Sequence, residues 1–299
     1  MLILQNIVHE TIWGGNKLTP YSGSKCEKIG HLYSVNCNEE GSNIILNGSY
    51  KGHSLNTYFD KNKQKFGLDQ YDYFPLVIAL VDGTDNLSIQ VHPDDETAPV
   101  LDSKVKYGKC ESWYFIDPPK SGSIFCGCLC KSMDELKHSI SHGKMELVTD
   151  RLPVKKGDYV YVKAGTLHSM AAGSLVYEIE ENAGCTYRFY DFDRIDKNGK
   201  KRPLQIAEAF YSINLNNKSE VKHYSEKPIE ERRYITQHFD KVNSYRNESK
   251  TLQVFTILDG HCRIDEFQLG KGNSVILEPG EELKIDTVEA IVVQPKRLF

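Results

Sequence analysis

The residues best suited to chemistry begin in LSIQVHPDD, Leu87 to Asp95. Gln90 and His92 stand two apart in an apolar stretch, so on a strand they point to one face, and Pro93 ends the run. A carboxylate, Glu111, lies just inside the strand-like segment KCESWYFID. A second imidazole, His168, follows the turn Ala164-Gly165-Thr166. Two imidazoles, one carboxylate and one amide oxygen form a mixed nitrogen and oxygen set. Such a set suits Zn2+ or another divalent first-row metal and leaves a position for water or substrate. No thiolate is among them, which argues against a closed structural zinc site. Taken singly, a histidine beside proline is more commonly a hydrogen-bonded turn residue, and a glutamate before Ser-Trp a solvated strand end. Ligation therefore requires a fold that gathers three distant segments.

Strand signals dominate the elements that would do the gathering. Short β-branched or aromatic runs recur between Gly, Asn, Asp and Pro, at residues 43–46, 74–81, 87–91, 111–116, 123–130, 158–162, 175–180, 187–190, 253–258, 262–267, 274–277 and 289–294. Many short strands so spaced predict a sandwich or barrel, with strand ends meeting at its mouth. Helices are fewer. Ser132-Met-Asp-Glu135 reads as a capping box opening a helix that stops near Gly143. Ser54 opens another toward Phe66, and residues 204–211 suggest a third. Residues 214–247 turn polar and read as a long connection, partly strand, between two halves.

One internal echo bears on organisation. KKGDYVYVKAGTLHSM, Lys155 to Met170, and LGKGNSVILEPGEELKI, Leu269 to Ile285, share the pattern K-G-[DN]-x-V-x-[VL]-x-x-G. Aligned on Gly165 and Gly280, His168 meets Leu283. The same β unit is expected twice, with a polar pocket residue only in the first copy.

The bulk numbers exclude several classes. The 299 residues allow one large domain or two modest ones. A net charge of -4 offers no field to recruit nucleic acid or an anionic membrane. No apolar run approaches membrane-spanning length, and MLILQNIVHETIW lacks the basic region and cleavage site of an export signal. Eight cysteines in such a chain are expected as reduced thiols in a cytoplasmic protein. Cys126, Cys128 and Cys130 form a C-x-C-x-C run that would share one strand face, and we read them as small core residues rather than a metal site.

Together the stretches IWGG (12–15), LSIQVHPDDE (87–96), GKCESWYFID (108–117), GDYVYVKAGTLHSM (157–170) and LVYEIEENAGCTYRFYDFDR (175–194) resemble the type I phosphomannose isomerases in their short bacterial form. The resemblance implies a mainly β fold of two cupin-type, jelly-roll β-barrels with a few short helices. We expect a metal-binding catalytic domain over residues 1–213 and a cupin-like β domain without metal ligands over 214–299. It implies one zinc per chain, held by Gln90, His92, Glu111 and His168. It implies interconversion of mannose 6-phosphate and fructose 6-phosphate through an enediol(ate), with a sugar phosphate as the partner and no nucleic acid or membrane. Oligomeric state is left open.

By the same resemblance Glu178 is a candidate base, with Glu180 on its face able to raise its pKa. Arg188 contacts the substrate or enediolate, and Arg194 lies nearer the phosphate. Ser88 and Trp13 match substrate-pocket positions. Four positions depart from the family pattern. A lysine expected before the QVH motif is Ala79. The family's G-E-S-W-E is GHLYS, so His31 replaces glutamate and Tyr33 tryptophan. An expected aspartate is Gly184. His31 is then a second candidate for proton transfer, since imidazole titrates in the useful range. The alternatives kept open are a sugar isomerase of altered substrate and a non-catalytic sugar-binding cupin.

Overall fold

Strand Leu76–Gly83, LVIALVDG, is buried along its whole length. A strand can be apolar on both faces only when both are covered. It lies between Ser174–Glu181 and Ile29–Val35. Val77, Ala79 and Val81 turn to one side, and Leu76, Ile78 and Leu80 to the other. The first set looks into a barrel and the second packs against another one. We describe residues 1–38, 41–142, 144–196 and 198–297 of the computed structural model.

The first barrel has two sheets. The seven-stranded sheet holds Val221–His223, Asp158–Val162, Glu111–Asp117, Ser174–Glu181, Leu76–Gly83, Ile7–Gly15 and Ile29–Val35. The five-stranded sheet runs Thr149–Pro153, Ser123–Cys128, His168–Ser169, Ile89–Val91, Tyr187–Tyr190. Their shared apolar core includes Val81, Phe115, Val160 and Val176 from one sheet and Ile124 and Cys126 from the other. In the second barrel a six-stranded sheet runs Leu2–Ile3, Ser274–Leu277, Gln253–Asp259, Glu282–Pro295, Tyr234–Arg246, Ile229–Glu230, beside the hairpin His261–Ile264 with Phe267–Gly270. It has its own core around Phe255, Ile257, Val275 and Val292. Between the barrels Ile78, Leu80, Tyr177 and Ile179 pack against Val254, Ile276, Ile291 and Val293. This is the mainly β, two-barrel architecture with a few short helices that the sequence leads one to expect. The sheets draw strands from both sides of residue 213, since Leu2–Ile3 join the second barrel and Val221–His223 the first.

The internal echo is a repeated turn. Gly157 and Gly272 have φ of 85° and 82°, and Gly165 and Gly280 have 84° and 83°. Asp158 Oδ2 accepts from the Lys155 amide at 2.9 Å, and Asn273 Oδ1 accepts from the Gly270 amide at 2.9 Å. The Asx side chain closes the turn that feeds each strand, and glycine supplies the left-handed backbone that other residues resist. Leu283, the counterpart of His168, is buried in the second core.

Several expectations need correction. Residues 43–46 make only isolated bridges, Leu4 to Ile45 and Ile44 to Ser54. The polar stretch 214–247 is partly strand as expected, and its last part, Tyr234–Arg246, is a thirteen-residue strand of the second barrel. The exposed residues of that strand's C-terminal half hide its bounds from composition. The cysteines of the C-x-C-x-C run do not share a face. Gly127 has φ of 101° and the ladder to Thr149–Pro153 shifts register there. Cys126 therefore enters the barrel core, while Cys128 and Cys130 join a different cluster.

The helices follow their caps. Ser54 accepts from the Thr57 amide and opens Leu55–Asn62. Ser132 accepts from the Glu135 amide at 3.1 Å and opens Met133–Ser141. The Glu135 carboxylate reaches one residue further back than a capping box requires, to the Lys131 amide. The expected stop at Gly143 lies outside the described residues. The third helix is Ile206–Ser212.

Candidate functional site

Strand register decides which side chains look into the first barrel. Glu178 lies opposite Ala79 and Trp113, and Glu180 opposite Val77 and Glu111, so the three glutamates share the interior face. From the facing sheet His168 lies opposite Gln90 and Cys126, and Arg188 also opposite Gln90. His92 follows directly after Ile89–Val91. An otherwise apolar strand thus carries a polar residue because Gln90 points into the mouth of the barrel.

The four sequence-predicted ligands come together. Glu111 Oε2 lies 3.0 Å from His92 Nε2, and Glu111 Oε1 lies 3.1 Å from His168 Nε2. All three residues are buried, with one ligand atom of each within 4.8 Å of the others. The Gln90 amide is 3.4 Å from His168 Nε2. His92 Nδ1 lies 3.0 Å from the Cys185 carbonyl, and His168 Nδ1 2.8 Å from the Thr166 carbonyl. Each Nδ1 therefore donates to a backbone carbonyl, which turns Nε2 of each ring toward the carboxylate. Burial, then Lys109, lowers the His92 pKa and keeps that ring neutral. Lone pairs facing a carboxylate are mutually repulsive unless a cation lies among them. The donor set thus fits a divalent metal, with Gln90 able to supply an amide oxygen by turning its amide over.

Gly165 ties two of these ligand segments together by donating its amide to the His92 carbonyl at 2.7 Å. A Cβ at Gly165 would meet the Ser212 carbonyl and Asn214 at 3.1 Å, whereas one at Gly280 would meet nothing within 4 Å. Gly280→Ala is expected to cost about 1–2 kcal/mol of stability, from backbone strain alone. Gly165→Ala is expected to cost more and also to weaken metal binding. Thermal unfolding with and without added metal measures both.

Beside the ligands lies a buried cation that sequence reasoning did not single out. Lys109 Nζ is 2.6 Å from Glu180 Oε2 and 3.5 Å from Glu111 Oε2. A signal existed: Lys109 stands two residues before Glu111, the spacing that puts both on one strand face. Burial opposes charge on Glu180, but Lys109 outweighs it and holds the Glu180 pKa below the ordinary value. Glu178 behaves oppositely. Burial, then Glu180 and Glu111, push its pKa well above the ordinary value. Its Oε1 accepts from Trp113 Nε1 at 2.8 Å, and its buried Oε2 has no partner among the described residues. Two carboxyls on one face with pKa values driven apart form the pattern of an acid and base pair.

His31 lines the same cavity, stacked between His9 and Tyr33 with centroids 5.5 and 5.0 Å away, and edge-on to Trp13 at 5.1 Å. Burial, partly offset by Glu180, pushes its pKa down to about 4, so the ring is neutral at pH 7. Ser88 donates to Gln90 Oε1 at 3.3 Å and lines the cavity with Trp13. Arg188 lines it too; burial, then neighbouring Arg202, lowers its pKa. Arg194 is not brought to the cavity. It is engaged by Asp191 and by the Asn86 carbonyl. Arg202, which sequence reasoning passed over, lines it instead. The cavity measures about 770 Å3. Of the family departures, Ala79 is buried on the interior face beside Glu178, and Gly184 lines the cavity with open space beyond its Cα.

The chain is similar in sequence and in fold to known proteins. The sequence pattern of "Phosphomannose isomerase type I, catalytic domain" matches residues 1–109. The mannose-6-phosphate isomerase of Streptococcus mutans is 36% identical over 210 residues, covering 70% of this chain and 66% of that protein. Mannose-6-phosphate isomerase ManA of Bacillus subtilis is 34% identical over 215 residues, 72% of this chain and 68% of that protein. The alignments thus span about two thirds of these relatives' lengths. The crystal structure of the mannose 6-phosphate isomerase from Bacillus subtilis superposes with a TM-score of 0.84 at 28% identity, covering 98% of this chain and 99% of that one. A mannose 6-phosphate isomerase solved with zinc and yttrium shares the fold, with a TM-score of 0.71 at 14% identity and 99% of both chains covered. These relatives carry an isomerase's name, which favours isomerisation of mannose 6-phosphate over a binding-only role. No helix among the described residues is long and apolar enough to cross a membrane. At this identity, over 68% of the length of ManA, the chain belongs to the type I phosphomannose isomerase family.

Proposed function

We propose that the protein interconverts mannose 6-phosphate and fructose 6-phosphate by moving a proton between C1 and C2 of the open-chain sugar. The observation that carries this reading is the His92, Glu111 and His168 cluster lying beside Lys109, Glu178 and Glu180 at one cavity. Gln90, His92, Glu111 and His168 would hold one divalent metal, zinc by the nitrogen and oxygen donor set and by analogy with the zinc-bound neighbour. A bound metal would stabilise negative charge developing on the sugar's C1 and C2 oxygens.

The chain's own groups supply the proton chemistry. Glu178, positioned by Trp113, presents a carboxyl with one free oxygen to exchange the proton at C1 and C2. Neutral His31 is a second acceptor on the same cavity wall. Lys109 balances the charges of Glu180 and Glu111, so that a carboxyl can take up or release a proton without stranding two buried anions. Arg188, Ser88 and Trp13 bound the substrate space. The eight free thiols suit the reducing cytoplasm, where a sugar phosphate would be met.

The test is conversion of mannose 6-phosphate to fructose 6-phosphate by purified, zinc-loaded protein. Turnover is expected, with loss on chelation and in His168→Ala. Aldoses and ketoses without phosphate belong in the same assay. Preference for one of them would move the reading to an altered substrate. Metal and sugar binding with no turnover on any of them would make the protein a binding cupin.

A further inference from the structure

We propose that Arg232 and Arg233, in a turn of the second barrel, are positioning residues that hold His92 and Glu111 at ligand spacing, which rests on reading these two with His168 as a metal site. The turn joins Ile229–Glu230 to Tyr234–Arg246, and the Glu231 amide donates to the Tyr234 carbonyl at 2.9 Å to close it. Three consecutive side chains reach the first barrel from here. Arg232 Nε donates to Glu181 Oε1 at 3.1 Å, its Nη2 donates to Glu181 Oε2, and its Nη1 donates to Asp95 Oδ2 at 3.1 Å. Arg233 Nη2 donates to both Asp95 oxygens at 2.9 Å, and its Nη1 donates to the Gly108 carbonyl at 3.4 Å. The Tyr234 and Ser112 hydroxyls share a hydrogen bond of 2.6 Å.

These contacts bracket two ligands. Asp95 stands three residues after His92, Gly108 three before Glu111, and Ser112 directly after it. Asp95 Oδ1 accepts from the Gly108 amide at 2.8 Å, and the Pro93 carbonyl accepts from the Lys109 amide at 3.1 Å. The two segments are thus paired, and Arg233 bonds to both of them. Glu181 Oε2 accepts from the Cys110 amide at 3.1 Å, which carries the hold of Arg232 to the residue before Glu111. Arg233 is buried, with its guanidinium 4.7 Å from the Tyr107 ring centroid. Asp95 and Glu181 balance the charge of the two arginines. Apolar side chains could fill such a space with as much stability, because desolvating ions offsets most of what their pairing returns. Apolar contact has no direction, however, whereas a guanidinium fork bonded to carboxylates and a backbone oxygen fixes orientation. Orientation is what the ligands need, since His92 Nε2 and Glu111 Oε2 come from separate segments and lie 3.0 Å apart. The second barrel thereby takes a part in the site without lending it a ligand.

The experiment is a Co2+ titration of the metal-free full chain, read by the visible absorption of the bound ion and by competition with a chelator of known affinity. Arg233→Met is expected to weaken Co2+ binding about 10- to 100-fold, the scale for outer partners of metal ligands, and to shift the visible band. Arg233→Lys keeps the charge but lacks the fork that spans Asp95 and Gly108, so it should recover only part of the affinity. Asp95→Asn alters a half-exposed side chain and should also weaken binding, which tests the clasp even if Arg233→Met misfolds. Lys222→Met is the control. Lys222 pairs with Glu231 of the same turn at 2.7 Å and bonds to neither Asp95 nor Glu181 among the described residues. Its loss should lower Tm and leave Co2+ affinity and spectrum unchanged. Unchanged affinity and spectrum in Arg233→Met or Asp95→Asn, or an equal loss of affinity in Lys222→Met, overturns the positioning role and leaves a structural one. A native chain that binds no Co2+ removes the metal reading, and the positioning role with it.

Discussion

Glu111→Gln is expected to lower turnover of mannose 6-phosphate by on the order of 1000-fold, the scale of removing a principal electrostatic stabiliser, and to lose most bound metal. The substitution keeps volume and shape, so it opens no cavity in the buried mouth. What it removes is the one negative charge between two imidazole Nε2 atoms, 3.0 and 3.1 Å away. A metal held by neutral rings and amides has lost its only anionic ligand. Folding should be retained, because Lys109 keeps Glu180 at 2.6 Å as its partner. Metal content per chain and kcat, measured on the same preparation, check this. A variant that keeps both its metal and its turnover would place the reaction somewhere other than this cluster.

Lys109→Met is expected to destabilise the protein by about 3–5 kcal/mol, the cost of stranding one half of a buried ion pair, and the loss should grow with pH. In the native protein Glu180 has a lowered pKa, so its contribution is present above the unfolded carboxylate value and is lost as pH falls through the folded one. Without Lys109 only burial and the neighbouring carboxylates act, and the folded pKa of Glu180 rises above the unfolded one. The sign then reverses: the folded state holds the proton more tightly, and stability falls as pH climbs above the unfolded value of about 4.3. Glu178, already raised, behaves in this second way in the native protein. The difference in Tm between native protein and variant should be smallest near the carboxylate range and largest at neutral pH and above. Calorimetric melts across that range check it. A gap that does not vary with pH would mean that Lys109 contributes only the packing of its carbon stem.

Much of the site was legible because its signals are local. The face shared by Gln90 and His92, the turn before His168 and the strand start at Glu111 follow from a period of two and from glycine positions. The repeated Lys-Gly turn was visible because both copies need a left-handed glycine and an Asx side chain, a requirement written into adjacent residues. The mainly β class follows from the same short-range patterning, and the pair of barrels from the family resemblance. The errors have physical causes as well. Tyr234–Arg246 has exposed residues along its C-terminal half, so its bounds do not show in its composition. The cysteine run was assigned one face because a bulge at Gly127 depends on the partner strand.

Charge balance is the part that no local pattern carries. Whether Glu178 or Glu180 holds the proton depends on Lys109, about seventy residues away in sequence yet 2.6 Å from Glu180. Whether Arg194 or Arg202 reaches the cavity depends on how both share Asp191. Residue types and spacing mark the candidate ligands and the strand-rich pattern, because alternation is a property of a few neighbouring positions, while the ligand set and the pair of barrels come from the family resemblance. The protonation of the carboxyls and the choice of arginine arise only on folding, because Coulomb energy and desolvation depend on distances in space that register and sheet packing set.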